Sequence, residues 1–339
     1  MTKIKVNTKQ SKESTALLDN LGQLGILNDS KGFKPSKSHE NYLKKSRKKA
    51  ISYSLASKLA DVKDTPLRKS YIRTLYCNDI IYQDGKKATA KYCKSRWCPI
   101  CNGIRTADHI QGYLHPLLEL GNLLFVTLTI KAVEANELKE TIAKMNKAIR
   151  HIQHNTLRKK HGIKLVGIRK IEVNYNAKTL TFNPHFHIIL STENISDAFT
   201  LVDEWLSYFP DTTDSKAQDI RPIDLSDKED RNHLLELFKY ASKTVTKDGF
   251  SPEAQDAIYR ALFRKRTLQP MGIKKKPIAK REREDLPIDF QPEQAETWFY
   301  DYAYKDWLNA KGETLTGYKP NKKTRQLLKN IATPIDKRF

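Results

Sequence analysis

Apolar and polar positions alternate with a period of two across residues 122–130. Leu124, Val126, Leu128 and Ile130 point one way, and Phe125, Thr127 and Thr129 the other, which predicts a half-buried strand rich in β-branched residues. The period then changes. Leu138, Ile142, Met145, Ile149 and Ile152 recur at helical spacing and predict a long helix over 135–160 with a Lys- and Arg-rich outer face. A second strand is expected over 164–175, a turn over 176–178, and then a third strand through Asn183-Pro184-His185-Phe186-His187-Ile188-Ile189-Leu190. Two strands joined by a short turn should pair antiparallel. A helix over 194–208, a short strand over 216–224 and a helix over 229–247 follow. A hairpin combined with crossover helices points to an α+β fold built on one sheet.

The flanks read differently. Residues 1–64 are polar and Lys-rich, with a weak apolar group from Leu17 to Leu27 and the run Lys44 to Lys49, and are expected to form a basic arm with one short helix. Residues 65–115 contain all the cysteines and form a candidate subdomain, leaving 116–272 as the main domain. Residues 273–290, Lys- and Arg-rich around Pro277, are expected to be a basic linker. The aromatic-rich stretch 292–310, with Trp298, Phe299, Tyr300, Tyr302, Tyr304 and Trp307, is expected to open a helical C-terminal extension over 291–339 that docks on the main domain; base stacking is its rival use.

Composition narrows the partner. Against 39 acidic residues stand 61 Lys and Arg, a net charge of +22 in 339 residues. Such an excess suits a polyanion, because every phosphate neutralised by Lys or Arg releases condensed counterions. A basic membrane-surface protein is the alternative. However, the longest apolar runs are strand-length, and no signal peptide or basic amphipathic helix with an aromatic face is evident. A soluble, cytoplasmic protein is expected.

Three groups of residues carry candidate chemistry. Cys77, Cys93, Cys98 and Cys101 cluster in a chain without other cysteines. The tight pair Cys98-Pro99-Ile100-Cys101, completed by Cys77 and Cys93, suits a closed structural zinc site. A redox pair is the alternative, and it leaves two cysteines unexplained; His109 could replace one thiolate. Lys91, Lys94, Arg96 and Arg105 around this knuckle are candidate DNA contacts. His185 and His187 share one face of their strand, an arrangement that suits a divalent ion, although a half-buried strand can also carry two histidines by chance. Glu172, on the preceding strand, lies close enough in a hairpin to reach that face, with a register the sequence does not fix. On the last helix, Leu234, Phe238, Ala241 and Val245 form one stripe, while Glu236, Tyr240, Lys243 and Lys247 form the opposite one. A tyrosine between a carboxylate and two lysines suits phosphate chemistry, with a phenol to attack and ammonium groups to hold phosphate; the plain alternative is a surface tyrosine on a Glu–Lys face. Lys239 and Lys247 are further candidate DNA contacts.

These segments together resemble the rolling-circle replication initiators of small bacterial plasmids, a branch of the HUH (His–hydrophobic–His) endonucleases. Residues 125–130 resemble the family's first motif, Asn183 to His187 its metal-binding motif, and Glu236-x-x-x-Tyr240-x-x-Lys243 its nucleophile motif. The cysteine cluster resembles that of one plasmid subfamily. The resemblance spans about residues 70 to 270. It implies a five-stranded antiparallel sheet flanked by helices, with the histidines on a central strand. It also implies a third, acidic metal ligand from a neighbouring strand, for which Glu172 is the candidate, and Mg²⁺ or Mn²⁺ as the ion. It implies attack by Tyr240 on single-stranded origin DNA, giving a 5′-phosphotyrosine and a free 3′-OH. One tyrosine rather than two assigns Glu236 to activating water at termination. Origin DNA, single- and double-stranded, is the expected partner, with host helicase, polymerase and a second copy of the chain as further candidates. The same motifs serve conjugative relaxases and single-strand transposases; a zinc-stabilised DNA-binding regulator without catalysis is a rival of a different class.

Overall fold

A computed structural model describes residues 37–84, 87–224, 226–238, 249–276 and 295–333. The elements are α1 (Lys37–Ala60), α2 (Arg68–Leu75), β1 (Ile80–Asp84), β2 (Lys87–Ala90), α3 (Pro99–Glu119), β3 (Leu123–Thr129) and α4 (Leu138–His151). There follow β4 (Val166–Asn176), β5 (Thr181–Ser191), α5 (Ser196–Tyr208), β6 (Asp219–Pro222), α6 (Lys228–Phe238), α7 (Pro252–Ala261) and β7 (Leu268–Met271), then β8 (Glu296–Asp301), β9 (Asp306–Leu308) and α8 (Lys322–Ala332). Five strands form one antiparallel sheet in the order β6-β3-β5-β4-β7, which puts the histidine strand at its centre. A second antiparallel sheet has the order β2-β1-β8-β9.

The alternation along β5 divides the molecule into layers. Phe182, Phe186, Ile188 and Leu190 bury to one side with Val126 and Leu128 of β3. They meet Ile142, Met145 and Ile149 of α4, Leu201 and Trp205 of α5, and Ile258 of α7. Each such side chain contributes roughly 1.5–3 kcal/mol on burial, so this layer dominates the stability. On the other side, Ile189 and Ile168 meet Leu114 and Leu117 of α3 and Leu234, Leu237 and Phe238 of α6. His185 and His187 belong to that second face. Pro184 is tolerated in a central strand because β3 has already ended: Thr129, its last residue, pairs with His185.

The apolar helical stripe from Leu138 to Ile152 is buried as its spacing predicts, but regular α-helix stops at His151 and Ile152–Lys160 continues as a π-helix. Three expectations are corrected. The segment 292–310 is not helical where it is described: β8 and β9 extend the β1–β2 hairpin. Trp298 and Tyr300 are buried, whereas Phe299 between them is 56% exposed, a period of two that aromatic density disguised. The C-terminal extension is therefore largely strand and loop up to α8. Nor is the N-terminal segment simply an arm. From Lys37 it forms the 24-residue α1, whose Ala50, Ala56 and Leu59 are buried and which packs on α2, α3 and α8. Finally, α3 runs unbroken across 115/116, so the expected boundary between cysteine subdomain and main domain falls inside a helix that covers the sheet. Residues 1–36, including the Leu17–Leu27 group, and 277–290 of the expected linker lie outside the described residues. Among the described residues, no helix is long and apolar enough to cross a membrane.

Candidate functional site

The antiparallel register decides which side chains meet. Glu172 of β4 lies directly opposite His185, and Lys170 opposite His187. On the other flank, Thr129 pairs with His185 and Thr127 with His187. Directly opposed residues point to the same face, so Glu172, Lys170, Thr127 and both imidazoles project together.

Hydrogen bonds aim the imidazoles. His185 Nδ1 lies 3.1 Å from the Asn183 carbonyl, which only accepts, so Nδ1 carries the proton and Nε2 presents its lone pair. His187 Nδ1 lies 3.3 Å from Thr127 Oγ1, so its Nε2 also turns inward. The two Nε2 atoms are 3.1 Å apart. That is close to the roughly 3.0 Å spanned by adjacent ligands of an octahedral ion at about 2.1 Å. Glu172 Oε2 lies 4.0 Å from His187 Nε2, and one ligand atom from each of the three residues falls within 4.8 Å of the others. The buried ammonium of Lys170 pairs with Glu172 Oε1 and holds the carboxylate in place. Two neutral imidazoles and an anchored carboxylate fit a divalent cation by donor type and spacing.

Lys170 was missed by sequence reasoning. Its signal was its position two residues before Glu172, hence on the same strand face, but that signal becomes usable only once the register is known.

The cysteines form a second cluster. Sγ of Cys101 lies 3.5 Å from that of Cys77 and 3.6 Å from that of Cys93, and all four thiols fall within 4.8 Å of one another. Four thiolates around zinc at about 2.3 Å lie roughly 3.8 Å apart, so the cluster fits a closed tetrahedral site. Backbone amides supply its electrostatics: Cys93 N donates to Cys77 Sγ, Ser95 N to Cys93 Sγ, and Cys101 N to Cys98 Sγ. Cys98 is also the N-cap of α3, followed by Pro99 at the first helical position. His109 is not part of the cluster and faces a cavity instead. Beneath the knuckle, the buried Lys49 ammonium donates to the carbonyls of Leu75 and Cys77 and pairs with Asp79 at 2.6 Å. Burial lowers its pKa, opposed by Asp79 and by the Cys77 and Cys98 sulfurs.

The candidate DNA contacts separate. Lys91 and Lys94 are exposed on the knuckle. Arg96 donates to the Lys265 carbonyl and Arg105 to that of Lys94, and both line a cavity of about 330 Å³ beside α3 that also reaches Lys170. Leu234 and Phe238 are buried as the helical stripe predicts, together with Leu235 and Leu237. Glu236 lies on α6, which packs on the same sheet face as the histidines. Tyr240, Lys243, Lys239 and Lys247 lie outside the described residues.

Fold and site together define an α+β protein whose central antiparallel strand presents a His–hydrophobic–His pair, faced by a carboxylate on the neighbouring strand, beside a four-cysteine knuckle. A model of the replication-protein family Rep_1 matches residues 84–322, and the chain belongs to that family. It is similar to a "Protein rep" of Streptococcus pneumoniae, 28% identical over 256 residues that cover 67% of this chain and 77% of that protein. It is also similar to a "Protein rep" of Staphylococcus aureus, 28% identical over 165 residues that cover 45% of this chain and 70% of the relative. A third "Protein rep", from Lentilactobacillus hilgardii, is 32% identical over 106 residues, or 29% of this chain and 32% of that one. No solved structure matches.

Proposed function

We propose that this chain initiates rolling-circle replication of a plasmid by nicking one strand of its origin through Tyr240. The observation that carries the reading is the convergence of Glu172, His185 and His187 on the sheet face packed by α6, whose last described residue precedes Tyr240 by two positions. Glu172, His185 and His187 would hold a divalent ion, which would supply a Lewis acid at the scissile phosphate, with the imidazoles favouring Mn²⁺ somewhat over Mg²⁺.

The chain's own residues do the rest. The Tyr240 oxygen attacks phosphorus, a phosphotyrosine bond forms and the bond to the 3′ oxygen breaks. That oxygen leaves with a proton as the 3′-OH primer, and the DNA keeps its 5′ phosphate on the protein. Phenol ionises near pH 10, so the Lys243 ammonium favours the attacking phenolate. At termination the Glu236 carboxylate takes a proton from water, which then attacks the phosphotyrosine and frees the strand; a second tyrosine would retain it. The net charge of +22 favours the DNA encounter. Origin DNA is the partner this role requires, with host helicase, polymerase and a second copy of the chain as further candidates.

The test is covalent capture. Wild-type protein with Mn²⁺ and labelled single-stranded origin DNA should give an adduct that survives a denaturing gel, and Tyr240→Phe should give none. Capture retained by Tyr240→Phe contradicts the assignment.

A further inference from the structure

The cavity beside α3 has a composition that the two metal-ligand clusters do not explain. Arg96, Arg105, His109, Tyr113, Lys170 and Arg266 line it. They come from the knuckle, the long helix, the sheet face and the loop before β7. Among the described residues, no carboxylate lines it. Two of its polar atoms, Arg105 Nη1 and His109 Nδ1, are buried without a hydrogen-bond partner among the described residues. Buried polar groups are normally paired, and the Arg105 guanidinium can only donate, so in a basic concavity it points to a missing acceptor. Lys275 and Arg105, after burial itself, hold the His109 imidazole below its usual value, as expected where positive charge is concentrated. His109 and Tyr113 lie one helical turn apart, ring centroids 6.1 Å apart and 31° from parallel, and offer flat faces to a base.

Its position gives the cavity a role. Lys170 belongs both to this wall and to the Glu172 ion pair, so the cavity adjoins the candidate metal centre. Thr106 donates to the Phe238 carbonyl at 3.2 Å, and Phe238 lines the same space at the end of α6. The volume of about 330 Å³ falls at the small end of ligand pockets and suits one nucleotide.

We infer that this cavity is a nucleotide subsite for single-stranded DNA: Arg96, Arg105 and Arg266 grip a phosphate flanking the cleaved one, and His109 and Tyr113 receive the attached base. The knuckle thereby becomes a wall of the strand-binding site. The inference rests on single-stranded DNA being the substrate, and it does not depend on the tyrosine step.

The experiment uses the full chain and an oligonucleotide containing 4-thiothymidine, cross-linked by light and mapped by mass spectrometry, without any need for cleavage. The cross-link should fall on residues 102–113 or 266–270, and Arg266→Ala, an exposed position, should weaken strand binding about tenfold. Arg105→Ala should do the same, with partial rescue by Arg105→Lys. Cross-links confined to other surfaces overturn the inference, as does unchanged binding by both alanine variants. Thymidine 5′-monophosphate competing as strongly as the strand also overturns it, because the site would then serve a free nucleotide. Absence of a covalent adduct in the capture assay would sink the nicking role while leaving this cross-link result intact.

Discussion

Glu172 and His185 face each other directly across the β4–β5 pair, and His187, two residues on, faces Lys170. One register therefore delivers two imidazoles, a carboxylate and the ammonium that anchors it. A slip of one residue would turn Glu172 to the opposite face, into the core beside Phe186.

Glu172→Gln removes the anionic ligand while preserving shape. We expect Mn²⁺ affinity at this centre to fall by at least the roughly 10–100-fold that loss of an outer-sphere partner costs. Calorimetric titration of zinc-loaded protein checks this, and unchanged affinity excludes Glu172 as a ligand.

The cysteine cluster predicts one tightly held zinc per chain. Cys98→Ser should abolish it and lower thermal stability sharply, because apparent structural-zinc binding is worth roughly 10–16 kcal/mol in small peptides, while the serine hydroxyl can still cap α3 and so leaves the metal as the cause of the loss. Elemental analysis alongside a thermal melt reads both effects. A zinc-free wild type with an unaltered melt would rule the site out.

Gly167 of β4 lies tight against β5: an added Cβ would sit 2.0 Å from the Ile189 carbonyl oxygen. Gly167→Ala should destabilise by about 1–3 kcal/mol or more, since backbone must shift. Equilibrium denaturation measures the loss, and a neutral result would show the strand spacing to be wider.

His109 predicts a pH dependence. Lys275 and Arg105, after burial, depress its pKa, and Asp108 opposes them; Arg96, Lys170 and Arg266 share its cavity. As pH falls through the ordinary imidazole value, the unfolded chain gains a proton that the folded chain refuses, so stability falls toward acid. His109→Gln should flatten that limb, and bound single-stranded DNA should raise the His109 pKa in an NMR titration. A pKa unmoved by DNA contradicts phosphate binding in the cavity.

Much of this was visible in the sequence. The alternation of Leu124, Val126 and Leu128 marks β3, and two histidines one residue apart must share a strand face. What was not visible depends on distant pairing. Glu172 and Lys170 become site residues only through a register that no local signal sets. In α1, buried Ser46, Lys49 and Ser52 replace the apolar stripe that would have revealed a packed helix. Trp298 and Tyr300 alternate with an exposed Phe299, so aromatic content concealed a strand period.

Glu236→Gln should separate the two halves of the cycle. It should nick and form the covalent adduct at close to the wild-type rate, yet fail to release the strand over time. Normal release would remove Glu236 from termination.

The central claim is that the Glu172–His185–His187 centre serves a single nucleophile, Tyr240. Its most direct measurement is mass spectrometry of the peptide that retains DNA after reaction with origin strand and Mn²⁺. This assignment requires a nucleotide on Tyr240, lost when His185 and His187 are both changed to Ala. An adduct on another residue, or one that persists in the double variant, would contradict it.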